Sequence, residues 1–297
     1  MSERVGSEGA GNDGAGSIRA GAPPGPWRAR LAALSGRVRP PLAAIGRLTR
    51  HQVRFALVLV GAGWGVLRET LRPYTWRRTV RQEFRLCLRQ VVGGGFLSVL
   101  VTATLAGLTV VSQAAYWLGF AGMAQMTGSI LVSVLVREIA PVLVGVILLG
   151  RSGMLSLTEI GMLTLGGQIR AMEAQGLDPF LLLVLPRTFA FTVGGFTLGI
   201  IFATVSLLMG FIVTHTAGVI STSVWTFFSN VLRAMSAWDF LIIPLKFVLV
   251  GYCIGLGSCL TGLLVDRDDT IATLMPRGFA RGILLVLGVN IVFSLGF

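Results

Sequence analysis

Lysine is almost missing from this chain: of 297 residues, Lys246 is the only one, and it follows the apolar run Ile242-Ile243-Pro244-Leu245. A phosphate-binding loop of the G-x-x-x-x-G-K-[ST] type is therefore excluded, and with it ATP hydrolysis by this chain alone. Histidine and cysteine are scarce as well. His51, His215, Cys87, Cys253 and Cys259 form no cluster with zinc-ligand spacing. Cys253 and Cys259 share one apolar segment, which argues against a disulfide framework. No serine sits in a G-x-S-x-G elbow, so an esterase-type nucleophile is excluded too. Charge is sparse, at 13% of residues against about 25% in soluble domains.

What fills the chain is apolar. Hydrophobic residues make up 54%, and the mean hydropathy is +0.78. The expected fold class is an all-α polytopic integral membrane protein. The net charge of +12 sits at one end: residues 1–89 hold 16 Arg against five acids, and the remainder is nearly neutral. Basic residues beside apolar segments point to an anionic membrane surface rather than to nucleic acid.

Residues 1–26 are Gly, Ala, Ser and Pro without an apolar block and read as a disordered cytoplasmic tail. Residues 27–89 read as Arg-rich amphipathic or interfacial helices, and 90–297 as the membrane body. Within the first of these, Val53 to Leu67 is apolar but too short for a span. About five spans are expected: Val91–Leu118, Ser129–Gly150 with helix continuing to Leu165, Leu181–Val213, Phe240–Val265 and Ile283–Phe297. The last has an alternative start nearer Pro276. With the N-terminus in the cytoplasm, cytoplasmic segments carry 22 Arg and the outer loops only Arg233. That asymmetry satisfies the positive-inside rule and puts the C-terminus outside.

Between the second and third spans, Gln168 to Gln175 reads as a two-turn helix, closed by Gly176 and by Asp178-Pro179. Arg170 and Glu173 share a face. Such a helix suits transmission of a push from a cytoplasmic partner, and equally suits an ordinary helical loop. Arg137 and Glu138 lie about 12 Å into the second span at 1.5 Å per residue. Being adjacent on a helix they point apart, so each needs its own partner or water. Two readings stand: a cavity that takes lipid headgroups, or a structural ion pair, for example with Lys246 or Asp239. Those two are seven apart on one face of the fourth span. Val110, Gln113 and Trp117 form a stripe near the end of the first span. The pairs Gly195/Gly199 and Gly251/Gly255 allow close helix approach, within one subunit or between two.

The series Arg137-Glu138-Ile139-Ala140-Pro141, Gly150-Arg151-Ser152-Gly153, Glu159-Ile160-Gly161, Gln168-Ile169, Met172-Glu173, Gly176-Leu177-Asp178-Pro179 and Pro186-Arg187 resembles the MlaE/YrbE family. The likeness covers roughly Tyr74 to Phe297, including Gln113, Lys246, Cys259, Gly262-Leu263 and Arg277. It implies a permease subunit of a lipid-moving ABC transporter in the bacterial inner membrane, itself non-catalytic and without a cofactor. ATP would be bound by a separate ATPase subunit. An MCE-domain protein outside and a second permease copy or paralogue would be further partners. Residues implied around the lipid are Val110, Gln113, Trp117, Leu118, Glu138 and Ile139. Gln168, Ile169, Arg170, Met172, Glu173 and Asp178 would form the ATPase-coupling segment. Arg137, Arg151, Glu159, Arg187, Asp239 and Lys246 read as a structural charge network, with Arg151, Glu159 and Arg187 supporting the coupling helix. Gly166-Gly167 and Arg170 depart from the family pattern and imply a dedicated ATPase or an asymmetric permease pair. The competing readings are an ATP-independent secondary transporter, a lipid-binding membrane scaffold and, third, a membrane-embedded enzyme; five spans without an inverted repeat or a deep carboxylate relay disfavour a transporter of the first kind.

Overall fold

The computed structural model describes residues 52–72, 77–122, 132–216, 218, 223–265 and 269–296. The expected tail at 1–26 and the amphipathic stretch to Arg50 lie outside the described residues. The chain divides into two compact units, residues 1–56 and 57–297. In the first, residues 52–56 are helical. The second is helical almost throughout, with no strand among the described residues.

In that unit residues 57–70 form α1 and Arg78–Phe120 form α2. Residues 132–165 make the rod α3, followed by the short α4, Gln168–Ala174. Then come α5 (Phe180–Thr216), α6 (Val224–Ala234), α7 (Asp239–Leu263) and α8 (Ile271–Gly296). Four of these, α2, α5, α7 and α8, are long and apolar enough to cross a membrane. They correspond to four of the five expected spans, and α3 stands where the second was expected.

Two helix starts differ from the sequence reading. The first span is continuous with the Arg-rich approach and begins at Arg78, because Arg, Gln, Glu and Leu are good helix formers. The last begins at Ile271 rather than Ile283. Its start is built locally: the Thr270 N–H donates to Thr273 Oγ1 (3.1 Å), and Thr273 Oγ1 donates back to the Thr270 carbonyl (2.9 Å). Arg277 adds an ion pair to Asp269 at 2.9 Å. Pro276 is accommodated within the helix.

Apolar packing centres on α7, the most enclosed of the four spans, which lies against α5, α8 and α3. Helix α5 also packs along α2. Without a hydrophobic force between helices in lipid, close approach depends on small residues. A Cβ on Gly195 would fall 3.0 Å from the Gly251 Cα, and one on Gly255 would fall 3.0 Å from the Thr188 Cα. Helices α5 and α7 therefore touch backbone to backbone. The two glycine pairs are an internal seam of this chain.

Candidate functional site

The α3 rod carries wide-wound π turns at Val132–Ile139 and Leu149–Gly153, and each holds charged residues. Such turns are rare and often mark functional positions. In the first turn, Arg137 and Glu138 point to different partners. Arg137 Nη1 meets Asp239 Oδ1 at 3.6 Å, at the start of α7. Glu138 Oε1 meets Lys246 Nζ at 3.1 Å, two turns further along the same helix. The spacing of seven between Asp239 and Lys246 lets one face of α7 serve two adjacent residues of α3.

Lys246 is fully buried, so its ammonium must find acceptors inside the protein. It has three: the Arg137 carbonyl at 2.9 Å, Glu138 Oε1 at 3.1 Å and Asn290 Oδ1 at 3.2 Å. These match the three donors of an ammonium group. Asn290, on α8, donates its amide back to Glu138 Oε2 at 2.9 Å. Glu138, Lys246 and Asn290 thus form a closed ring joining α3, α7 and α8. A carboxylate held by an ammonium and an amide is fixed as an ion pair, and the two pairs together balance charge.

The other charged end of α3 is built differently. Arg187 on α5 is buried, and its Nη2 lies 3.0 Å from Glu159 Oε2 and 3.7 Å from Glu83 Oε1 of α2. Three helices meet on that one guanidinium. Arg151 is not in this group; it is exposed and donates from Nη1 to Ser98 Oγ at 3.2 Å.

Helix α4 is defined by glycine at both ends. Gly167 precedes it at φ 71° and Gly176 follows it at φ 75°, both left-handed. The Leu177 N–H reaches the Met172 carbonyl (3.0 Å) and the Gly176 N–H the Glu173 carbonyl (2.9 Å), a Schellman closure. Asp178 Oδ1 then accepts from the Phe180 N–H at 2.9 Å and opens α5, with Pro179 in its first turn. Ile169 is buried and Met172 half-buried, while Gln168, Arg170 and Glu173 face outward. Arg170 and Glu173 edge a cavity of about 460 Å³ that reaches Thr164, Leu263 and Val265.

The residues expected around a lipid are spread over two elements. Val110 is half-buried against the core on α2, Gln113 and Trp117 are exposed near its end, and Leu118 is half-buried. Glu138 and Ile139 belong to α3. None of the six lines an apolar cavity of about 260 Å³ that lies between α3, α5, α6 and α7.

The family model for the MlaE permease matches residues 86–295. The chain belongs to the MlaE permease family. It is 26% identical over 203 residues to the Protein TRIGALACTOSYLDIACYLGLYCEROL 1, chloroplastic, of Arabidopsis thaliana; that match covers 68% of this chain and 56% of the relative's length. It is 29% identical over 201 residues to the probable ABC transporter permease protein ycf63 of Pyropia yezoensis, covering 62% and 76%. It is 23% identical over 222 residues to the intermembrane phospholipid transport system permease protein MlaE of Haemophilus influenzae, covering 72% and 84%.

The charges paired at the two ends of α3 all fall inside the MlaE match except Glu83. The sequence reading missed Asn290, Glu83 and Ser98. Asn290 had a usable signal, since it is a lone amide in the apolar run Leu284–Phe293 and needs a partner there. Glu83 is one of two acids in the Arg-rich stretch 54–89. Ser98 had none.

Proposed function

We propose that this MlaE-family chain is the non-catalytic membrane subunit of an ABC transporter that moves phospholipid-like molecules. In this reading the protein sits in the bacterial inner membrane, N-terminus cytoplasmic and C-terminus outside. A separate ATPase binds and hydrolyses ATP, and an MCE-domain protein exchanges lipid on the outer side. A second permease copy or paralogue completes the assembly across the exposed end of α2, where Gln113, Tyr116 and Trp117 are open and Tyr116 stacks edge-on to Trp117. Val110, Gln113, Trp117 and Leu118, with Glu138 and Ile139, form the lipid-facing set of that assembly.

The observation that carries the reading is α4. A helix of two turns joins two long helices, is fixed at both ends by left-handed glycines, and is anchored by Ile169. It presents Gln168, Arg170 and Glu173 outward beside a cavity. A rigid, amphipathic joint of this kind supports docking of a moving partner, and the permease names of the relatives support an ATPase as that partner. The test is co-purification of the ATPase with the permease carrying Arg170→Glu. Association falls, and a charge reversal on the ATPase face restores it. Unchanged association and unchanged ATP turnover would rule the docking role out.

A further inference from the structure

Away from the charge ring and the end of α2, the cavity of about 260 Å³ is walled by Ala203 and Thr204 of α5, Phe228 and Leu232 of α6, and Phe240 and Pro244 of α7. We infer that it is a lateral binding groove for one acyl chain of a phospholipid from the surrounding bilayer, whose phosphate is met by Arg137.

The walls point to a hydrocarbon ligand. The lining is almost wholly apolar, and two of its four helices have the length and apolarity of membrane spans. The groove also opens onto apolar surface: Ile200, Leu232 and Phe240 line it and are 44%, 52% and 54% exposed. An alkyl chain reaches it directly from lipid, whereas a polar ligand would have to leave water first. Its size suits part of one chain. Pockets for whole drug-sized ligands run to roughly 300–1,000 Å³, so about 260 Å³ holds part of a tail and leaves the headgroup outside.

The groove is held open by its third wall. Ser223 caps α6 by accepting from the Thr226 N–H at 3.3 Å, and Phe227 packs its ring 5.1 Å from Phe211 of α5. Phe227 and Val231 are buried, so α6 is pinned by one face, and Phe228 and Leu232 overhang the groove. Pro244 contributes a notch, because it lacks an N–H and leaves the Phe240 carbonyl without its helical donor.

One end of the groove is charged. Asp239 lines it, with Oδ2 accepting from the Ser236 N–H at 2.9 Å and Oδ1 facing Arg137. The Arg137 side chain is 24% exposed and its contact with Asp239 is long, at 3.6 Å. A guanidinium carries five donors in a fixed fork and matches phosphate geometry. Glu138, next to it, is paired with Lys246 and Asn290 rather than with Arg137. Asp239 lines the end of the groove and Arg137 stands beyond it, so in the proposed mode the guanidinium's remaining donors reach past Asp239 to a phosphate while the tail lies along the apolar wall. The inference needs only a membrane setting, not transport or an ATPase.

The experiment uses the full chain in vesicles doped with phosphatidylglycerol bearing a diazirine in its acyl tail, with labelled positions mapped after illumination. Phe228, Leu232 and Phe240 take label at least threefold above Leu97 and Leu105, which are exposed on α2 outside the groove. Diacylglycerol with the same diazirine tail labels the groove at least threefold less. Ala203→Phe fills the groove and removes label there while Leu97 labelling persists. Even labelling over all exposed apolar positions would overturn the groove, as would an unlabelled groove closed by another protein. Equal labelling by the two lipids would overturn the phosphate contact. If Ala203→Phe fails to insert, the comparison of positions in the unmodified protein still decides.

Discussion

The two charged ends of α3 solve the same problem in opposite ways. At residues 137–138, two cations and two anions are matched one to one, and the deepest of them, Lys246, is fully buried with all three donors used. At Glu159, one buried guanidinium is shared between two carboxylates whose side chains are 35% and 36% exposed. The first arrangement is neutral around Lys246, the one member that is fully buried and so must have its charge matched inside the protein. The second carries an excess anion, with both acids partly exposed at the surface of the chain. Matched pairing marks the enclosed end of the rod and shared pairing the wetter end.

The largest expected effect comes from breaking the matched end. Lys246→Met leaves Glu138 without its ammonium and removes a hydrogen bond from Asn290. Breaking a buried pair costs roughly 3–5 kcal/mol; with Glu138 about a third exposed, about 2–4 kcal/mol is expected. Thermal unfolding in detergent and membrane yield both read this. Adding Glu138→Gln should recover part of the loss, since no uncompensated charge then remains. A single variant as stable as the unmodified protein would mean the ring is not closed.

Asn290→Leu comes next. It removes the 2.9 Å donor to Glu138 Oε2 and an acceptor of Lys246, but leaves the ion pair itself. Leaving such groups unsatisfied costs about 1–3 kcal/mol. A loss equal to that of Lys246→Met would assign the main role to the amide rather than to the ion pair.

How far these contrasts could be read in the sequence depends on the kind of information each needs. Helix positions followed from apolar runs and from local stops such as Gly176 and Asp178-Pro179, because those act within a few residues. Arg137 and Glu138 could be seen to need separate partners, because adjacent helical residues diverge. Which partners they take is decided by how α7 and α8 pack, so Asp239 and Lys246 entered only as alternatives and Asn290 not at all. The start of α8 lies upstream of both expected positions, Ile283 and the alternative near Pro276, because the Thr270–Thr273 closure that begins the helix is a local polar contact outside the apolar run. The small-residue seam was legible as close packing, but its location between α5 and α7 of one chain came from the fold.

At the wetter end, Glu159→Gln removes the shorter of two contacts to Arg187, and Glu83 remains. With both acids more than a third exposed, the pair is screened, and about 1 kcal/mol or less is expected. The loss should shrink further in high salt, whereas that of Lys246→Met should not. Equal salt responses would erase the distinction between the two ends.

The smallest effect is expected at Arg151, and it tests the boundary of the shared cluster. Spacing together with the family resemblance placed Arg151 with Glu159, eight residues away on the same helix, and with Arg187. In the fold its guanidinium donates to Ser98 Oγ and lies over Gly94, where a Cβ would come within 3.4 Å of Arg151 Nε. The side chain is exposed, so Arg151→Ala should change stability by about 0.5 kcal/mol or less. Coupling is the sharper measure. Residues with no shared partner combine additively to within about 0.3–0.5 kcal/mol, whereas members of one network do not. A double-mutant cycle of Arg151→Ala with Glu159→Gln should therefore close to within that error. The cycle of Arg187→Met with Glu159→Gln should not, because Glu159 Oε2 sits 3.0 Å from the Arg187 guanidinium. Clear coupling between Arg151 and Glu159 would return Arg151 to the cluster, supply a second cation there, and cancel the anionic excess that separates this end of α3 from the other.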